Sequence, residues 1–113
     1  MAVKSSTLPD GIGLIEARGS FVGGDETDEL RRAIAGFVYR SYDKLIIELS
    51  DVTYLNSTAI GVLVAAHTTY TRKNWQIKLC GINKNISSIF VITKLTLVFD
   101  VSDTRGEAVK SFK

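Results

Sequence analysis

The chain has 113 residues, of which 45% are hydrophobic and 23% charged, and its formal net charge is +2. Those proportions are globular and exclude bulk disorder; a chain this long buries roughly two-thirds of its unfolded surface, so it needs no disulfide or metal to fold. From the balance of 14 basic and 12 acidic residues no dedicated surface for nucleic acid or anionic membrane follows, a local patch aside, and one cysteine with one histidine leaves almost no room for zinc chemistry. The expectation is one soluble, intracellular domain over residues 1–113.

No apolar run follows Lys4, so no signal peptide is expected. Val52 to Thr71 carries no charge and is long enough to span a bilayer. It also holds Asn56, Ser57, His67 and several threonines, and its dense apolar run is only Ala59 to Ala66. A buried helix fits better, with no membrane insertion and a cytoplasmic location.

In chain order, Val3 to Leu8 reads as a short edge strand. Pro9-Asp10-Gly11 is a turn, because Pro presets φ and Gly tolerates a positive one. Ile12 to Arg18 is the next strand and Gly19 to Gly24 a loop. Asp25 to Glu29 opens a helix whose first-turn acids suit the helix dipole; its buried stripe is Leu30, Ile34, Phe37 and Val38, and it ends near Ser41. Lys44 to Leu49 is nearly all apolar, as a strand covered on both faces is, and belongs at the sheet centre. Ser50 to Asn56 links it to a helix from Ser57 to about Lys73, stopped by Asn74 with Trp75 folding back. Gln76 to Cys80 is a short strand and Gly81 a turn. Asn83 or Asn85 caps a third helix carrying Ile86, Ile89 and Phe90. Leu97 to Val101 is the last strand and Glu107 to Phe112 a terminal helical turn. Alternating strands and helices predict an α/β fold with a mostly parallel or mixed sheet of four to five strands.

The usual catalytic constellations are missing. There is no phosphate-binding glycine loop and no nucleophile elbow. His67 lies roughly 15 Å along the helix from Ser57, too far for a proton relay. Cys80 reads as a small buried hydrophobe, Asp100 and Asp103 as solvated loop acids, and Trp75 as a packing residue.

The helix opening at Asn56-Ser57-Thr58 is different. All three residues can cap a helix. At one hundred degrees per residue, Ala59, Ile60, Val62, Leu63, Ala66, His67 and Tyr70 fall on one arc. The opposite arc holds Ser57, Thr58, Gly61, Ala65, Thr68, Thr69 and Arg72, where an ordinary wet face would carry Lys and Glu. Small uncharged residues suit close approach by another surface, either a protein partner or another element of the same chain.

Leu49-Ser50-Asp51-Val52-Thr53-Tyr54-Leu55-Asn56-Ser57-Thr58-Ala59-Ile60-Gly61 resembles the signature of STAS domains, particularly the bacterial anti-sigma factor antagonists. The resemblance extends to Gly19 and the Asp28-Glu29-Leu30 helix, to Ile77-Lys78-Leu79-Cys80-Gly81-Ile82, and to Ile92-Thr93-Lys94-Leu95 with Phe99. Three positions depart from the pattern. Asn56 stands for Asp, Ala59 for Gly where a methyl could crowd a close-packed surface, and Lys94 for Gly after the short helix.

The resemblance implies a STAS-like mixed sheet with helices mainly on one face, and a non-enzymatic switch that needs no cofactor or metal. In the antagonists the serine opening the second helix is phosphorylated by an anti-sigma factor serine kinase of the histidine-kinase-like ATPase fold. The unphosphorylated form sequesters that kinase and so releases a sigma factor; a PPM-type serine phosphatase resets it. That serine matches Ser57, and the partner surface would comprise Asn56, Ser57, Thr58, Gly61, Ala65 and Thr68. The family also contains non-phosphorylated scaffold subunits of signalling and lipid-transport complexes, which is the alternative reading.

Overall fold

The structure, a computed structural model, describes residues 2–112. Five strands form one sheet in chain order: β1 (Val3–Leu8), β2 (Ile12–Phe21), β3 (Lys44–Leu55), β4 (Gln76–Cys80) and β5 (Asp100–Ser102). β1 and β2 are antiparallel, and the remaining neighbours are parallel. Between β1 and β2 lies the expected turn, a single 3-10 turn at Pro9–Gly11 in which Asp10 as well as Gly11 takes a positive φ. The sheet is thus mixed, with β3 at its centre as its apolar first half requires.

Helices α1 (Asp25–Tyr39), α2 (Ser57–Arg72) and α3 (Lys84–Ile92) cover one face. Leu30, Ile34 and Phe37 of α1, Leu63 and Tyr70 of α2, and Ile86 and Phe90 of α3 meet Leu45, Ile47 and Leu49 of β3 there. Phe37 reaches the sheet because Gly13 has no side chain: a Cβ on Gly13 would lie 2.7 Å from the Phe37 ring. The other face is covered by α4 (Arg105–Lys110), which buries Ala108 against Ile12, Leu14, Ile46 and Cys80, with Leu8 and Phe112 packed beside it. Six residues are too few to be helical in isolation, so α4 depends on its docking. Arg105 fixes its start by donating from Nε to Glu48 and from Nη2 to Glu16, each at 2.7 Å.

Four boundaries differ from the sequence expectations, one of them that of α4, which runs Arg105–Lys110 where Glu107 to Phe112 was expected. β2 continues to Phe21, taking in Gly19 and Ser20, which were expected in a loop. β3 continues to Leu55, so the expected link from Ser50 is strand. The cause is shared: the two strands pair with register shifts between Glu16 and Arg18 and between Gly19 and Ser20. Each irregularity shifts which residues point inward, so Val52 and Leu55 are buried without a clean alternation around them. The last strand is Asp100–Ser102, not Leu97–Val101. Leu95–Leu97 forms a 3-10 turn after Lys94, which takes the left-handed conformation (φ 60°, ψ 25°).

Candidate functional site

The second half of β3 delivers Asn56 to the end of the sheet. Where β3 bends, the carbonyls of Leu49, Ser50 and Val52 converge on Asn83 Nδ2 at 3.1, 2.9 and 2.8 Å. The Asn83 Oδ1 atom accepts the Asn85 amide at 2.7 Å, so the side chain that caps α3 also holds the bend of β3. Farther along, the Asn56 amide donates to the Phe21 carbonyl at 3.0 Å, keeping β2 and β3 in register up to the helix.

At the start of α2 the three polar residues divide their tasks. Asn56 is the N-cap, its Oδ1 accepting the Ala59 amide at 3.0 Å. Ser57 is the first helical residue, exposed, and its hydroxyl has no hydrogen-bond partner among the described residues. Thr58 is exposed beside the loop after β2, where a Cβ on Gly23 would touch it at 3.5 Å. Gly23 has φ +89°, and its amide donates to Thr27 Oγ1 at 2.9 Å, so the loop is pinned to the first turn of α1. Val22 and Tyr54 flank this corner, 52% and 48% exposed.

The two arcs of α2 fall as its periodicity requires. Ala59, Val62, Leu63, Ala66 and Tyr70 are buried; Ser57, Thr58, Gly61, Ala65 and Thr68 are exposed along one side. No other described element of the chain covers that side. The Thr68 hydroxyl is turned back onto the Val64 carbonyl at 3.1 Å. Ala59 points inward and is fully buried, so its methyl does not crowd the exposed side. Sequence reasoning missed the Val22–Gly23 loop and Tyr54 as parts of this corner. The glycines of residues 19–24 were the available signal, since a glycine-rich approach to a helix permits close packing.

The remaining candidates are structural. His67 lies at the edge of the packed side, its ring 5.0 Å from that of Phe99. Cys80 is buried, and its thiol is pushed up to about 12, by burial first and by the Glu48 carboxylate second. Trp75 packs edge-on to Tyr70 at 5.5 Å. Asp100, expected as a free loop acid, pairs with the buried Lys78 ammonium at 3.0 Å. No group of three or more His, Cys, Asp or Glu able to hold a metal occurs among the described residues. None of their helices is long and apolar enough to cross a membrane.

The fold and this corner define a small α/β module that presents a capped helix N-terminus and a small-residue helix side. The chain belongs to the STAS domain family, which residues 7–108 match. It is 30% identical over 63 residues to the anti-sigma-B factor antagonist of Listeria monocytogenes, covering 56% of this chain and 55% of that protein. It thus spans about half the length of that relative. Among solved structures, a candidate anti-sigma factor antagonist of Thermotoga maritima superposes with a TM-score of 0.86 at 18% identity, over 96% of this chain and 92% of that one. SpoIIAA, a Bacillus cell fate determinant, superposes in its phosphorylated form with a TM-score of 0.75 at 13% identity, over 96% of this chain and 97% of that one. At these identities the likeness is one of fold.

Proposed function

We propose that the chain is an anti-sigma factor antagonist, a cytoplasmic protein-binding module switched by phosphorylation of Ser57. The observation that carries this reading is the free, exposed Ser57 hydroxyl on the first residue of α2, left unoccupied because Asn56 supplies the cap. A phosphoryl group there adds about two negative charges at the positive end of a 16-residue helix, which the protein itself tolerates. A partner packed closely against Gly61, Ala65 and Thr68 would have to desolvate that charge, and binding would weaken. The reading is supported by a protein of the same fold, SpoIIAA, whose structure is known in phosphorylated and unphosphorylated forms. The partners are then an anti-sigma factor serine kinase of the histidine-kinase-like ATPase fold and a PPM-type serine phosphatase, and the chain itself performs no catalysis.

The test is incubation with the kinase encoded nearest this gene and ATP, followed by peptide mass spectrometry. Phosphate is expected on Ser57, and none on the Ser57→Ala variant. In calorimetric titrations Ser57→Ala keeps partner binding, whereas Ser57→Asp loses about 1–3 kcal/mol through its uncompensated charge. A folded Ser57→Asp variant that binds as tightly as the parent would leave a constitutive scaffold as the function. Phosphate on Thr58 would move the switch by one residue.

A further inference from the structure

α1 and α2 follow the parallel neighbours β2 and β3, so they run side by side in the same direction. Between them lies an open groove of about 440 Å³. Its walls are Ile34, Val38, Val62, Ala65 and Thr69, with Arg31 toward the N-terminal end of α1 and Tyr39 at the C-terminal end. The groove exists because small residues, Ala35, Ala65 and Ala66, stand where the helices face each other, and its lining is mostly apolar. Tyr39 is 90% exposed, the most exposed of the large hydrophobic side chains. One face therefore carries both an apolar hollow and an unpacked aromatic knob.

Charge is divided along the same face. The first turn of α1 is acidic, with Asp25, Glu26 and Asp28. The opposite end is basic: Arg40 follows α1, and Arg72 and Lys73 end α2. Asp28 and Arg31 lie on the groove-side row of α1, where they form an exposed ion pair at 2.5 Å. That pair leaves Asp25 and Glu26 as the unpaired acids of that turn among the described residues. Val62, Ala65, Thr69 and Arg72 are spaced as one row of α2. Laid against a copy of itself in the same direction, the face opposes acid to acid and base to base. Laid antiparallel, it puts each basic end over the other's acidic turn.

We propose that this face is a homodimer interface, with two copies packed antiparallel so that Tyr39 of each fills the Arg31 end of the other's groove. The pairing is isologous, with every contact made twice. Tyr39 brings a rigid ring and a hydroxyl to an arginine, a combination suited to cation–π stacking. Helices of 15 and 16 residues offer a face about 22 Å long and about 20 Å wide, at the low end for specific interfaces. The association is accordingly weak and reversible. It does not depend on Ser57, and its test uses the unphosphorylated chain with no other protein.

Sedimentation equilibrium from about 5 μM to about 1 mM is expected to show a monomer–dimer exchange. Tyr39→Ser and Ala65→Arg remove the knob and block the groove. Each is expected to weaken the dimer more than about tenfold, with an unchanged circular dichroism spectrum because both side chains are exposed. Asp28→Lys and Arg72→Glu are each expected to weaken it, and together to restore it, because the swapped charges are complementary again. A parallel pairing would leave both single variants unchanged. A chain that stays monomeric at about 1 mM overturns the proposal, as does a dimer indifferent to Tyr39→Ser and Ala65→Arg.

Discussion

The Asn56 Oδ1 atom accepts the Ala59 amide at 3.0 Å, and this bond, not one from Ser57, starts α2. The sequence left Asn56, Ser57 and Thr58 as equal candidates for the cap. The assignment separates stability from switching. Asn56→Ala is expected to cost about 1 kcal/mol, Asn56→Asp almost nothing, and Ser57→Ala less than about 0.5 kcal/mol in urea melts. A larger loss for Ser57→Ala than for Asn56→Ala would make the serine the cap and remove the argument for its free hydroxyl.

Asn83 acts on both its neighbours at once, capping α3 through Oδ1 and gathering three β3 carbonyls through Nδ2. Asn83→Asp tells the two roles apart. Aspartate caps a helix as well as asparagine does, but its carboxylate cannot donate and would face the three carbonyls. Asn83→Ala is expected to cost about 2 kcal/mol or more, and Asn83→Asp more again at neutral pH. If Asn83→Asp melts like the parent, capping is the whole role and the bend of β3 is held by other means.

What could be read from the sequence follows from where the chain is regular. Leu45 to Leu49 is apolar but for Glu48 because both faces of β3 are covered there, and that pattern places it centrally without any partner in view. The two sides of α2 separate because sixteen uninterrupted helical residues keep one period. Legibility ends at the irregularities. Ser50 to Leu55 reads as a link because the register shifts opposite Arg18 and Ser20 break the alternation. Asp100–Ser102 is a strand only by pairing with Lys78–Cys80, while the more apolar Leu97 and Val98 before it lie exposed in a turn. The Asn83 contacts span 31 to 34 residues, and the groove between α1 and α2 depends on how two helices lie together. No local pattern encodes either.

Lys94 sits at φ 60°, directly after α3, in the conformation that favours glycine. The family pattern has glycine at this place. An L-residue there bears roughly 1 kcal/mol of strain that glycine does not, whereas glycine adds entropy to the unfolded chain. Lys94→Gly is therefore expected to be neutral or stabilising by up to about 1 kcal/mol, and Lys94→Val, β-branched at positive φ, clearly destabilising. Denaturant midpoints of the three proteins check the order. A marked loss in Lys94→Gly would mean that the lysine side chain contributes contacts of its own.

Alkaline pH should expose two buried acids. The Cys80 thiol is raised from 9.0 to about 12 by burial and then by Glu48, against the opposing charge of Arg105. The Tyr70 hydroxyl is raised too, chiefly by burial and secondarily by Asp43, and it donates to the Tyr42 carbonyl at 2.9 Å. In both, the fold favours the protonated form, so the native state holds more protons than the unfolded chain once pH passes the ordinary values. Stability from these groups is complete below about pH 9 and falls as pH climbs from there toward 12. Urea midpoints are thus expected to be level from pH 7 to 8.5 and to decline from about 9 to 11, with Cys80→Ala and Tyr70→Phe each making the decline shallower. Tyr70→Phe also costs about 1 kcal/mol at neutral pH, for its lost hydrogen bond. The same slope in all three proteins would mean that neither group is held protonated by the fold, and that another buried acid accounts for the decline.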